Sequence, residues 1–141
     1  MLGGKEVKLS QASDYAFRAV IYLAKQGVGN RVEAQEISEA ENIPKRFLFK
    51  NMRKLAQTEI VESYRGKYGG YALAKSPSEI TLLDVVEVID GPIEVNRCLV
   101  EPEACNKEGL DTCKIHHALY DVRETITAKL AEYTFAKLLE E

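Results

Sequence analysis

Apolar residues at helical spacing dominate the first part of the chain. Ala12, Tyr15, Ala16, Ala19, Tyr22 and Leu23 recur at intervals of three and four, which predicts a helix opened by Ser10 and running to about Lys25. Asp14 falls in its first turn, where a negative charge suits the helix dipole. Gly27, Gly29 and Asn30 break the pattern. Ile37 and Ala40 then anchor a short helix from about Glu33 to Ala40, and Glu41, Asn42 and Ile43 form a tight turn. Pro44 is read as the first position of the next helix, which extends to about Ala56. Leu48, Met52 and Leu55 supply its core stripe, while Lys45, Arg46, Lys50, Arg53 and Lys54 spread over the remaining surface.

The period then changes. Ile60–Arg65 and Tyr71–Ala74 are β-prone runs on either side of Gly66-Lys67-Tyr68-Gly69-Gly70, which predicts a hairpin with a five-residue connection. Ile80-Thr81-Leu82-Leu83-Asp84-Val85 opens another helix, with Thr81 as N-cap, Asp84 as its capping-box acid and Ile80 stapled to Val85. Leu82, Leu83, Val85, Val86, Val88 and Ile89 make this helix apolar nearly all round, so a central place in the core is expected; Gly91 and Pro92 end it. A last long helix is predicted from about Lys114 to Tyr133. Its stripe of Leu119, Val122, Ile126, Leu130 and Tyr133 is narrow, as in helices packed against a partner helix. Thr134 restarts a short turn ending in Leu138 and Leu139.

Between these helices, Cys98 to His116 follows no period. Pro102, Asn106 and Gly109 mark it as a loop, and all three cysteines of the chain fall within it. His116 follows Cys113 after two intervening residues. Together they offer a four-ligand set for a soft metal centre. An odd cysteine count argues against a disulfide framework and leaves metal binding or thiol chemistry.

Charge sharpens the division. The 141 residues carry a net charge of −3, but residues 1–75 hold 13 basic and 8 acidic side chains while residues 76–141 hold 6 and 14. Residues 44–75 alone hold 8 basic against 2 acidic. The first half is built to face an anion. Two helices joined by a short turn, the second basic, make a helix-turn-helix, whose second helix leads into the major groove with its N-terminal residues. This reading puts Lys45, Arg46 and Phe47 nearest the base edges, with Lys50 and Asn51 further along. The glycine-rich hairpin is then a wing, with Arg65, Lys67, Tyr68 and Tyr71 able to reach phosphates or a minor groove. The glycines lack the Gly-Lys-Ser/Thr of a nucleotide-binding loop.

The expected fold is mainly α with a small β-hairpin wing, a winged helix-turn-helix followed by a long C-terminal dimerisation helix. Residues 1–76 are expected to form the DNA-binding head, after a short arm at Met1–Val7. Residues 77–141 are expected to carry the cysteine loop and dimer helices, continuous with the head. Hydrophobic content of 45% suits a globular chain, and no apolar run approaches a membrane span. A cytoplasmic location is the default expectation.

These features resemble the IscR and NsrR family of winged-helix regulators, also called the Rrf-two family. The resemblance runs from Lys8 onward. Its most specific parts are Lys8-Leu9-Ser10 with Asp14-Tyr15-Ala16 and Arg18-Ala19, the wing Arg65-Gly66 with Gly69-Gly70-Tyr71-Ala72-Leu73-Ala74, and Ile80–Val85 with Gly91-Pro92. It implies a homodimeric transcription factor on a palindromic duplex operator. It also implies an iron-sulfur cluster, two-iron or four-iron, in many members and no metal in others. Cys98, Cys105 and Cys113 match the family's ligand cysteines. His116 matches the fourth ligand of IscR-like members, and Asp14, supplied by the other subunit, that of NsrR-like members. His117 is the more ordinary, solvated neighbour. The chain departs from the family in three ways: its cysteine gaps are longer than the usual five, Glu59 replaces a glycine after the basic helix, and Asn51 replaces an apolar residue within it.

The reading is therefore a DNA-binding repressor or activator controlled by an iron-sulfur cluster that senses redox state, iron, nitric oxide or cluster status. The rivals are a metal-free thiol switch on the same fold and a zinc-stabilised DNA-binding protein. Structural zinc sites favour close cysteine pairs, which these wide gaps are not. An enzyme is not expected, since there is no Cys-x-x-Cys and no base spaced to activate a nucleophile.

Overall fold

Helix α1, Gln11–Gln26, starts where the sequence places it, because the Ser10 hydroxyl accepts the Ser13 N–H at 3.0 Å. The computed structural model describes residues 9–67, 69–95 and 113–140, so Met1–Val7, Tyr68, Cys98 and Cys105 lie outside the described residues. Helix α2, Ala34–Glu41, ends at Asn42 in the left-handed conformation (φ 54°), and α3, Lys45–Gln57, follows. Pro44 is not the first helical residue but the cap before it, with extended backbone (ψ 134°). Its carbonyl accepts the N–H groups of Phe47 and Leu48 at 3.0 and 3.1 Å, so the missing donor still costs nothing.

Leu48, Met52 and Leu55 of α3 are fully buried against Ala16, Ala19, Val20 and Leu23 of α1. The C-terminus of α3 forms a Schellman cap: the Ile60 N–H bonds to the Leu55 carbonyl (3.0 Å) and the Glu59 N–H to that of Ala56 (3.2 Å). This geometry drives Glu59 to φ 63°, where a side chain costs about 1–2 kcal/mol relative to a negative φ. After the greater freedom of an unfolded glycine is subtracted, Glu59→Gly should raise stability by about 0.5–1 kcal/mol. The check is a denaturant midpoint that moves up with an unchanged m-value; a midpoint that falls would contradict it.

Strands β1, Val61–Tyr64, and β2, Gly70–Leu73, pair antiparallel with Val61 opposite Leu73 and Tyr64 opposite Gly70. Gly70 thus belongs to the strand, and the connection is residues 65–69. Val32 bridges Tyr71 on the outer edge of β2, and β1 packs on α3, so the wing is fixed to the head on both sides.

After a 3-10 turn at Pro77–Glu79, helix α4, Leu82–Asp90, opens with the expected capping box: Thr81 and Asp84 exchange side-chain-to-backbone bonds of 3.0 Å. Val85, Val86 and Ile89 are buried, but Leu82, Leu83 and Val88 are only half-buried. The expectation of an all-round buried helix is corrected: α1, α3 and the next helix pack on α4 without encircling it. That next helix is α5, Lys114–Glu132, and none of its residues is buried within the chain. A short helix α6, Phe135–Leu139, then folds back onto the head, with Phe135 fully enclosed beside α1.

Candidate functional site

The buried stripe of α3 decides what its other face presents. Lys45, Arg46, Phe49, Lys50 and Arg53 are exposed. Phe47 is not among them. It is half-buried: its ring lies 5.7 Å from that of Tyr15, and the Arg46 guanidinium stacks over it at 5.0 Å. Asn51 is also corrected, because only 3% of it is exposed. Its position falls within the Leu48–Met52–Leu55 stripe, and its amide is satisfied by donating to the Ala12 carbonyl of α1 at 3.0 Å. Sequence polarity placed Asn51 outside; burial makes it a polar tie holding α3 to α1.

On the wing, Arg65 and Lys67 are exposed. The Tyr64 hydroxyl donates to Glu62 at 2.6 Å, which raises its phenol above the usual range, and Arg31 lies 5.4 Å over its ring. Tyr71 is half-buried against the core, and this desolvation raises its phenol as well. Both phenols thus remain neutral at physiological pH. Among the described residues 61–73, Arg65 and Lys67 carry the exposed positive charge.

A joint that no local pattern foretold sits at the far end of α4. The Asp90 carboxylate accepts the Ser10 hydroxyl at 2.6 and 2.9 Å and the Ser13 hydroxyl at 2.7 Å. A negative charge at the C-terminus of its own helix is thereby placed at the N-terminus of α1, where the dipole favours it. Beside it, Lys54 of α3 donates to the Ile89 carbonyl at 3.2 Å, satisfying an acceptor of the last turn of α4. The chain enters the cysteine segment from a point tied to both α1 and α3.

The described residues resume at Cys113, which caps α5 and is 8% exposed. Its sulfur accepts the His116 N–H at 3.4 Å. His116 is half-buried one turn along, and its ring is 5.9 Å from that of exposed His117. Cys113 and His116 therefore share one turn. Asp14 lies elsewhere, paired with Arg18 at 2.5 Å, and Arg18 also donates to the Glu41 carbonyl at 3.1 Å. Among the described residues there is no cluster of three histidine, cysteine or acidic side chains placed to hold a metal, and no helix long and apolar enough to cross a membrane.

Known proteins give this arrangement its context. The family model described as Rrf2, iron-dependent transcriptional regulator, matches residues 9–141. An Aquifex aeolicus chain named as an HTH-type transcriptional regulator is 33% identical over 112 residues, 79% of this chain and 77% of that one. One from Mycobacterium tuberculosis is 37% identical over 87 residues, 62% of this chain and 54% of its own length. CymR, the global cysteine regulator of B. subtilis, superposes with a TM-score of 0.75 at 25% identity, covering 94% of this chain and 96% of CymR. T. potens IscR superposes with a TM-score of 0.72 at 23% identity, covering 94% and 86%. The chain belongs to the Rrf2 family of winged-helix transcriptional regulators rather than to any class of enzyme.

Proposed function

We propose that this regulator acts in the cytoplasm as a homodimer, on a palindromic duplex operator, under the control of an iron-sulfur cluster held by Cys98, Cys105, Cys113 and His116. The observation that carries the reading is the capped, nearly buried sulfur of Cys113 at the start of α5, one turn from His116. When bound, the cluster supplies iron–thiolate bonds whose integrity depends on iron supply and oxidants. The chain converts this into DNA affinity through its joints. Asp90 and Lys54 fix one end of the cysteine segment to α1 and α3, and Cys113 fixes the other end to α5. A change of loop shape must therefore reorient α5 against the reading head. Couplings of this kind are worth about 1–3 kcal/mol. The unburied face of α5, with Ile115 and Val122 exposed, supports a helix of a second copy as its partner. Asp14 remains the alternative fourth ligand, but it would have to leave Arg18 to serve.

Anaerobic purification should yield a coloured protein with iron and acid-labile sulfide. Cys113→Ala removes both ligand and cap and should bleach it; Cys113→Ser keeps an N-cap oxygen, so it should fold normally and still lose most of the colour. A colourless, iron-free protein despite cluster supply would overturn the cofactor. The likeness to CymR favours a thiol switch as the second reading. In that case DNA affinity follows alkylation or oxidation of the cysteines and is indifferent to metal content. Zinc without sulfide would instead identify a structural metal.

A further inference from the structure

We infer that Phe49 reads DNA sequence, packing its ring against the 5-methyl group of a thymine in the major groove. The inference rests on the DNA-binding reading and adds to it a base and a side chain. Phe49 is 48% exposed although it lies one residue from fully buried Leu48. The fold has no use for it there, since the core takes the stripe of Leu48, Asn51, Met52 and Leu55. The contrast with Phe47, which is packed on Tyr15, shows that the two rings of this helix serve different ends.

The surroundings of Phe49 select its partner. One helical turn away on either side stand Lys45, Arg46 and Arg53, and Lys50 is adjacent; all four are exposed. An aromatic ring enclosed by cations suits neither an apolar groove of another protein nor a neutral surface. It suits a polyanion that offers apolar features between its charges. Duplex DNA has one such feature in the major groove, the thymine methyl. Phenylalanine can make no hydrogen bond to a base edge, so this is the contact its chemistry permits. It is also held in place for it. Asn51 ties α3 to α1, Lys54 ties it to α4, and Pro44 fixes its first turn. Phe49 is the fifth residue of α3, within the half of a recognition helix that faces base edges.

The test begins by selecting duplexes from a random library with the full chain. Each thymine of the selected sequence is then replaced singly by uracil, which removes only the methyl group, and affinity is measured at fixed salt. Wild-type protein should lose about four-fold at one thymine of a half-site, the effect of exposing one buried methyl. Phe49→Ala should bind the thymine and uracil duplexes equally, at the level wild type shows for uracil. Because the ring is exposed, its melting temperature and its salt dependence should match those of wild type. Wild-type affinity indifferent to every uracil overturns the assignment. So does a Phe49→Ala variant that still distinguishes uracil from thymine, or one that binds both duplexes as well as wild type. Failure to enrich any duplex overturns the DNA reading itself, and the assignment with it.

Discussion

Replacing Gly70 by alanine should destabilise the protein by about 3 kcal/mol and lower its melting temperature by roughly 10 °C. A Cβ at this position would stand 2.4 Å from the Val32 carbonyl oxygen and 2.9 Å from its carbon. Both are backbone atoms and neither can rotate aside. They are also engaged, since Val32 and Tyr71 exchange two N–H to carbonyl bonds of 2.8 Å. The backbone at Gly70 has φ 139°, so strain adds to the overlap. Relief requires opening the Val32–Tyr71 bridge, which loses two hydrogen bonds at about 1 kcal/mol each and loosens the wing from the head. Gly66→Ala is the control. It has φ 84° but nothing within 4 Å of the added carbon, so it should cost only the backbone strain of about 1–2 kcal/mol. Denaturant unfolding of the two variants decides the matter, and equal losses would refute the close-approach argument.

The elements whose signals are local were legible beforehand. Ser10 and the Thr81–Asp84 capping box start their helices where read, and the hairpin differs only in taking Gly70 into its strand. The face of α3 was harder, for a physical reason. Taking Leu48, Met52 and Leu55 as the whole stripe leaves Phe47 and Phe49 nearly symmetric, each about 100° from Leu48 around the helix. Burial of Asn51 shifts the stripe toward half-buried Phe47 and away from exposed Phe49. The spacing of Asn51, three beyond Leu48 and four before Leu55, carried the correct signal; its polarity masked it. The Asp90–Ser10 joint joins residues 80 positions apart and needs the tertiary fold to bring them together. Of the cysteines proposed as ligands, Cys113 and its cap are described, while Cys98 and Cys105 lie outside the described residues.

Phe135→Ala should cost about 3–5 kcal/mol, the largest loss expected from any single side chain in α6. Phe135 is fully buried, on a helix packed against α1 and the Pro77–Glu79 turn. Its own N–H bonds to the Ile80 carbonyl and the Leu82 N–H bonds to the Tyr133 carbonyl, both at 2.9 Å, so the chain crosses the start of α4 at a short bridge between Thr81 and Thr134. This crossing fixes the C-terminal end of α5 to the head. The other end of α5 begins at Cys113, beyond the cysteine segment. A helix of 19 residues spans about 28 Å, so with one end held, a small displacement at Cys113 becomes a rotation of the whole helix relative to α3. Removing the Phe135 ring releases the fixed end. Under the cluster control proposed above, Phe135→Ala should, beyond its lower melting temperature, bring the DNA affinities of the cluster-loaded and cluster-free proteins closer together than in wild type. Phe135→Leu, which keeps most of the buried volume, should lose less stability and retain the difference. Affinities of both forms of each variant, measured well below their melting temperatures, provide the check. A Phe135→Ala protein that is clearly destabilised yet keeps the full wild-type ratio would show that α5 is not the lever.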